Sequence, residues 1–124
     1  MREIRFRGRR TDNGNWIYGW LFCFKETLFI LEFSSLKPGC PVVPKTVGQY
    51  TGTKDKNGIE IYEGDIIVWD YSKKPQEVRW DESICGYTTK RYHLWRVLNK
   101  TEIIGNIYEN KELLESGGKE GGTK

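Results

Sequence analysis

The residues most suited to chemistry lie at positions 49–70, in the stretch QYTGTKDKNGIEIYEGDIIVWD. This stretch holds three glycines and five acidic side chains. Glycine-rich loops can cradle phosphate, and grouped carboxylates can bind cations or transfer protons. The spacing of these residues indicates whether the stretch can form a phosphate-binding, cation-binding or catalytic site.

The spacing fits neither a phosphate loop nor a calcium loop. Gly52 and Gly58 enclose five residues. A Walker A loop encloses one residue fewer and continues with lysine and serine or threonine, which are missing here. Asp55 and Asn57 have the i, i+2 spacing of calcium ligands, but Ile59 stands where the next oxygen ligand belongs.

Catalytic and metal sites lack companion residues. The carboxylates of Glu60, Glu63 and Asp65 flank a turn glycine and need not converge, and the single histidine, His93, lies far along the chain. Three cysteines with His93 offer zinc-ligand types, but their spacings of 17, 45 and 8 residues match no zinc module. These cysteines are Cys23, Cys40 and Cys85. We therefore predict no enzyme, catalytic residue, metal or cofactor, and we identify no small-molecule substrate.

The stretch is better explained as two turns that connect strands. Asp-Lys-Asn-Gly is typical of a tight turn, because asparagine and glycine accept positive φ. In the second turn Gly64 permits the unusual backbone, and Asp65 can accept backbone N–H groups. This interpretation predicts that Gly64→Val impairs folding, whereas Asp55→Ala and Glu60→Ala leave the protein folded and active.

Basic residues interleaved with aromatic ones indicate an alternative function, nucleic-acid binding. Such residues can neutralise phosphates and stack on bases. The net charge of +3 is small for this function. The candidate residues are Arg5, Arg7, Arg9, Lys90, Arg91, Tyr92, Trp95 and Arg96.

The composition fits a folded, mainly β protein. The 124 residues are 37% hydrophobic and 30% charged, with five Trp, seven Tyr and five Phe, and aromatic residues favour strands. The charged N-terminus and the lack of a long apolar run predict an intracellular protein with reduced cysteines and no membrane span.

Alternation of apolar and polar residues predicts eight or nine short strands. REIRFRGRR places Ile4 and Phe6 on one face and its arginines on the other. TDNGN predicts a hairpin turn. The next two strands are predicted at WIYGWLFCF and TLFILEF. Gly19 indicates a bulge or a close backbone contact.

Later segments follow the same pattern. DIIVW predicts a strand buried on both faces, and residues 72–75 separate it from the next strand. TEIIGNIYE predicts a last strand interrupted at Gly105-Asn106. Asn110 can cap a short helix.

Three segments resemble the YopX family of small phage and prophage proteins: MREIRFRGRR, VGQYTGTKDKNGIEIYEGDIIV and IIGNIYENKELLE. The resemblance implies phage origin and a mostly β protein with an SH3-like small barrel, and it supplies no activity or site residues. We expect one domain over 1–115, with a barrel core at 46–110, N-terminal β-hairpins packed beside it and a short C-terminal helix. Residues 116–124 form a flexible Gly/Lys/Glu tail in this interpretation.

The expected function is binding. Five tryptophans are more than a core of this size easily hides, and tryptophan is enriched at interfaces. We predict a non-enzymatic binding or assembly module in the bacterial cytoplasm, either a homo-oligomer or bound to a phage or host protein. A nucleic-acid-binding small β-barrel is the alternative.

Overall fold

The computed structural model describes residues 4–33, 37–69, 72–82, 86–89 and 100–114. It divides the chain into two compact units, Met1–Tyr50 and Thr51–Lys124. The described residues form antiparallel strands and one short helix, which confirms the mainly β prediction. The single domain predicted over 1–115 stays a prediction.

The first unit is a sheet of antiparallel strands. Its strand order is β4-β3-β2-β1, and the start of β5 lies beside β1. A 3₁₀ turn at Pro44–Thr46 precedes β5. The strands are β1 (Phe6–Arg9), β2 (Trp16–Phe24), β3 (Thr27–Glu32), β4 (Cys40–Pro41) and β5 (Gly48–Lys54).

Two tight turns connect the first three strands. The predicted Asn-Gly turn is present: Gly14 has φ 75°, and the Asn15 N–H donates to Oδ1 of Asn13 at 2.9 Å. The β2–β3 turn instead uses Lys25 and Glu26, at φ 50° and 67°. Two-residue hairpin turns match strand twist when both residues have positive φ, so two residues without this preference are held in a strained conformation.

The core of the first unit lies on one face of its sheet. Ile17, Ile30 and Val42 are buried there and are packed against partly buried neighbours such as Phe6 and Leu21. The close contact predicted at Gly19 is present on β2, since a β-carbon there would lie 2.1 Å from the carbonyl oxygen of Leu31.

The second unit is arranged around β7. β7 lies between β8 and β11, and the rest of β5 pairs with β6, while β9 and β10 form a separate hairpin. Ile61, Ile67 and Val78 form its core. The remaining elements are β6 (Glu60–Tyr62), β7 (Asp65–Trp69), β8 (Ser72–Glu77), β9 (Arg79–Asp81), β10 (Gly86–Thr88), β11 (Thr101–Asn106) and α1 (111–114).

Several predictions for the second unit can be compared with the structure. Asp65, Ile66 and Ile67 at the start of β7 are buried, as expected for a strand covered on both faces. The predicted interruption at Gly105-Asn106 is not present, because β11 includes both residues and ends at Asn106. Its pairing with β7 instead shifts register between Ile103 and Gly105.

Two details of the second unit differ from expectation. Pro75, predicted to lie in a separating loop, is part of β8, which is an edge strand and can therefore contain a residue without an N–H. The predicted SH3-like barrel is not confirmed, because no sheet among the described residues closes on itself.

The short C-terminal helix predicted from the sequence is present at 111–114. The side chain of Asn110 does not cap this helix as predicted. Its Oδ1 instead accepts the N–H of Asn106, which precedes the helix, at 3.1 Å. The backbone carbonyl of Asn110 accepts the N–H of Leu113 instead.

Candidate interaction surface

Asp55 organises the first turn of the 49–70 stretch. Its Oδ1 accepts the N–H groups of Asn57 and Ile59 at 2.9 and 3.0 Å, and its Oδ2 accepts the N–H of Ile103 at 3.1 Å. The side chain is 6% exposed. Because three donors share this one carboxylate, we expect Asp55→Ala to lower the stability of the protein instead of leaving it unchanged.

Gly64 and Asp65 form the second turn as predicted. Gly64 has φ 91°, and a β-carbon on it would lie 2.9 Å from the ring of Tyr108. Asp65 is buried, and its Oδ2 accepts the N–H of Tyr62 at 2.8 Å. The carboxylate of Glu60 accepts the Tyr62 hydroxyl at 3.1 Å. These contacts give Asp55, Glu60 and Asp65 structural roles.

No group of three or more histidine, cysteine or acidic residues within the described part of the chain is placed to hold a metal ion. Cys23 is exposed and Cys40 is half-buried, and both are free thiols. Cys85 and His93 lie outside the described residues.

Among the described residues, a group of exposed aromatic side chains lies on the first unit. Every second residue of β2 is aromatic, and side chains of this period share one face of a strand. Three apolar residues that follow in and after β3 extend the same face through cross-strand pairs and ring contacts. We call this surface the aromatic face; it consists of Trp16, Tyr18, Trp20, Phe22, Phe24, Phe29, Leu31 and Phe33.

The aromatic face is open where β2 extends past β1. Trp20 is 54% exposed and Phe24 is 59% exposed, whereas Ile30 on the opposite face of the sheet is fully buried. Tyr18, Phe22 and Phe33 are also exposed. A run of exposed aromatic side chains on one sheet face makes that face a candidate interaction surface.

Contacts between rings hold the open part of the face in place. The rings of Phe22 and Phe29 are stacked at 9° with centroids 5.2 Å apart. Trp20 and Phe33 meet edge to face at 4.8 Å. The first pair links β2 to β3 and the second links β2 to the residue that follows β3, so contacts between the rings help to order them.

The arginines of β1 lie over these rings. The Arg7 guanidinium is 4.6 Å from the centroid of Trp16, and Arg9 is 5.9 Å from the same ring. Arg5 lies between Phe33 at 5.8 Å and Tyr50 at 5.7 Å. Arg7 is only 5% exposed. Its side chain therefore packs against the ring of Trp16 and offers little surface to a ligand.

The predicted nucleic-acid surface is only partly described. Arg5, Arg7 and Arg9 are brought together beside the aromatic face, as their alternation predicted. The other predicted residues, Lys90, Arg91, Tyr92, Trp95 and Arg96, lie outside the described residues. A common surface formed by all eight therefore stays a prediction.

Two further cations of the first unit have local partners. Arg10 forms a two-pronged ion pair with Asp12, at 2.7 and 3.0 Å. The hydrogen bond from Arg10 holds the pKa of Asp12 below its ordinary value. The ammonium group of Lys25 lies 5.4 Å from the ring centroid of Phe24, at the tip of the hairpin.

The aromatic face was not predicted from the sequence, although its signal is present there. The period-two run of Trp16, Tyr18, Trp20, Phe22 and Phe24 is visible in the printed sequence. Aromatic side chains in a strand usually indicate the buried face, whereas here the smaller Ile17 and Leu21 supply the core.

None of the helices described is both long and apolar enough to cross a membrane. No curated protein matches this chain.

The fold is shared with a solved structure. The crystal structure of protein EF1440 from Enterococcus faecalis superposes with a TM-score of 0.61 at 21% sequence identity, and the match covers 92% of this chain and 99% of that one. The family model described as YopX protein matches residues 5–115. Because this match covers both described units almost completely, the chain belongs to the YopX family.

Proposed function

We propose that this protein is a non-enzymatic binding module that uses the aromatic face to bind another protein. The observation that carries the proposal is the exposure of Tyr18, Trp20, Phe22, Phe24 and Phe33 on one face of the sheet in the first unit. Tyrosine, tryptophan and phenylalanine are enriched in protein interfaces and form many of their energetic hot spots.

The energetic argument uses the area that a partner would cover. Covering roughly 100 Å² of one such ring contributes about 2.5 kcal/mol at 25 cal/mol per Å². Several rings together therefore offset the entropy lost on association, which is on the order of 4–15 kcal/mol. Ring stacking between β2 and β3 helps, because side chains that are already ordered lose less entropy on binding.

The biological setting is part of the proposal. The segments at both ends and in the middle of the chain resemble phage and prophage proteins, and family membership supports that comparison. We therefore place the module in the cytoplasm of a bacterium that carries the phage or prophage.

Site-specific photo-crosslinking in such cells tests this function. A photoreactive phenylalanine analogue replaces Phe24 in one variant and the exposed Lys45 of the same unit in the control. We expect protein adducts from position 24 that resist nuclease, that are absent from position 45, and that Trp20→Ala removes. Equal crosslinking from both positions, or none from position 24, contradicts the proposal.

Single-stranded nucleic acid is the second candidate ligand, and the arginines of β1 favour it. Arg5 and Arg9 are half-buried, and their guanidinium groups lie over aromatic rings next to the exposed part of the face. Aromatic rings and cations together bind single strands with little sequence preference.

A fluorescently labelled oligothymidylate tests this candidate by anisotropy over a series of salt concentrations. Nucleic-acid binding predicts affinity that falls steeply with salt and that decreases in Phe24→Ala. Unchanged anisotropy at low salt removes this candidate.

A further inference from the structure

Two Asn-Gly steps occur in the sequence, one in each unit: Asn13-Gly14 and Asn57-Gly58. Asparagine is a thermolabile residue, and it is especially reactive before glycine, which has no β-carbon to shield its backbone nitrogen. That nitrogen attacks the carbonyl carbon of the asparagine side chain only when the two groups are free to approach each other. The local structure therefore determines how fast each step reacts.

The two steps share several features that control such a reaction. Both asparagines are exposed, and the glycine that follows has positive φ in each turn, 75° for Gly14 and 83° for Gly58. Both glycine N–H groups donate to a backbone carbonyl at 3.0 Å, that of Arg10 in one turn and that of Asp55 in the other. Because this hydrogen bond has to open in both turns before the nitrogen reacts, it does not distinguish them.

The Asn-Gly turn of the first unit is held at two further places. Oδ1 of Asn13 accepts the N–H of Asn15 at 2.9 Å, which fixes the side chain that would be attacked. Nε of Arg9 donates to the carbonyl of Gly14 at 2.9 Å. A β-carbon on Gly14 would lie 3.3 Å from Nη2 of the same arginine. The guanidinium group therefore covers this glycine and restrains its backbone.

The Asn-Gly turn of the second unit lacks both of these restraints. The backbone N–H of Asn57 donates to Oδ1 of Asp55 at 2.9 Å, but the Asn57 side chain has no hydrogen bond to any part of the chain that the structure describes. Nothing lies within 4 Å of the place where a β-carbon on Gly58 would be. The Asn57 side chain can therefore rotate toward the next peptide without losing a contact.

We propose that Asn57 is a site of spontaneous covalent modification and that the fold protects Asn13 from the same reaction. The Gly58 N–H gives its proton to hydroxide, and the nitrogen forms a bond to Cγ of Asn57. The amide nitrogen of the side chain takes a proton from water and leaves as ammonia. Water then opens the cyclic imide at either of its two carbonyl carbons, and the products are aspartate and isoaspartate.

The isoaspartate product changes the turn that Asp55 organises. Its main chain runs through the former side chain and is one carbon longer between residues 57 and 58. Oδ1 of Asp55 accepts the N–H of Ile59 at 3.0 Å, and the Asp55 N–H donates to the carbonyl of Ile59 at 2.8 Å. A longer chain between the two residues displaces Ile59 from both contacts, so the modified protein unfolds at a lower urea concentration.

Ageing of the whole chain at mildly alkaline pH tests the proposal. Digestion with trypsin at mildly acidic pH separates the two steps into peptides 11–25 and 57–73. Mass spectrometry follows the conversion of amide to acid in each peptide, and an isoaspartyl methyltransferase labels the isoaspartate. We expect Asn57 to react at least about fivefold faster than Asn13, since fivefold corresponds to about 1 kcal/mol, the net contribution of one hydrogen bond.

A pair of substitutions tests the structural reason for the difference. Arg9→Met removes the donor to the Gly14 carbonyl and should speed the reaction of Asn13 by about fivefold, as expected for one hydrogen bond. Arg10→Met is the matched control and should leave that rate unchanged, because the Arg10 side chain bonds to Asp12 instead. In concentrated urea, where these contacts are lost, the two Asn-Gly steps of the unchanged chain should react at similar rates.

The proposal is overturned by equal rates of the two steps in the folded chain, or by faster reaction of Asn13. A ratio of rates that stays the same in urea also overturns it, because the neighbouring sequence would then set the rates. Asn57→Gln should keep its urea midpoint during ageing, since glutamine would have to form a larger ring. An equal loss of midpoint in this variant and in the unchanged chain contradicts the effect on the Asp55 turn.

Discussion

In the first unit the sheet formed by β2 and β3 buries one face, whereas in the second unit the start of β7 is covered on both faces. The first unit leaves large rings in solvent; the second unit places polar Asp55, Asp65 and Asn106 in its interior with backbone partners. The composition of the glycine-rich stretch suggested that its acidic residues form a binding or catalytic site. The hydrogen bonds of Asp55 and Asp65 show that these two side chains hold the backbone of the turns. An interaction surface is better identified by side chains whose burial the fold does not require.

The largest expected effect is on the turn at Gly64. Gly64→Val should lower the free energy of unfolding by about 3 kcal/mol, because valine is strained at φ 91° and its β-carbon meets Tyr108 at 2.9 Å. Urea denaturation gives the measurement. Gly58→Ala is the matched control, because Gly58 has φ 83° and nothing within 4 Å of the added carbon; its loss should be about 1 kcal/mol. Equal losses in both variants would show that Tyr108 has no part.

The second prediction concerns Asp55. Asp55→Ala should lower the free energy of unfolding by about 2–3 kcal/mol, because three backbone N–H groups lose the buried carboxylate that accepts them. Glu60→Ala should cost about 0.5 kcal/mol, since the half-buried Glu60 carboxylate accepts from the Tyr62 hydroxyl. Urea denaturation of both variants compares them. A harmless Asp55→Ala would remove the distinction between the two units that rests on buried acids.

The third prediction moves to the hairpin that presents the aromatic face. Glu26→Gly should raise the free energy of unfolding by about 1 kcal/mol, because glycine adopts φ 67° without the strain of a side chain. Thermal unfolding measures the gain. Glu26→Ala keeps the strain and should show no gain. Equal effects from both substitutions would mean that the turn is not strained.

The smallest effect is expected at the exposed Asp12. Because the hydrogen bond from Arg10 lowers the Asp12 pKa in the folded state, the carboxylate stabilises the protein above its unfolded pKa. This contribution is lost as the pH falls through the folded pKa. Asp12→Asn should therefore be slightly less stable than the unchanged protein at neutral pH and equal to it in strong acid. Thermal unfolding at both pH values checks this. A large effect would contradict the weak contribution usual for exposed ion pairs.

The strands and several turns could be predicted because their signals are local. The alternation in REIRFRGRR and WIYGWLFCF, the Asn-Gly step and Gly64 each act through neighbouring residues. The role of Asp55 could not be found in this way, since its acceptor contact with Ile103 spans 48 residues.

Local sequence pattern also could not predict whether the aromatic side chains point to the core or to solvent. Alternation shows that Trp20, Phe22 and Phe24 share a face, but it does not tell which face the core covers. The face that becomes buried is the one on which Val42, from a later part of the chain, packs against Ile17 and Ile30. The Lys25-Glu26 turn is similar, because its strand partners fix a backbone that these two residues do not favour.

The outermost strand of the first unit, β4, affects how readily the sheet that carries the aromatic face can aggregate. β4 consists of Cys40–Pro41 alone and pairs with Phe29 and Ile30 of β3. A proline has no N–H to offer to an incoming strand, and a strand of two residues gives little template for growth. At this edge, copies of the protein are thus hindered from joining their sheets. The sheet that carries the exposed tryptophan and phenylalanine side chains therefore has a β4 edge that gives little template for aggregation.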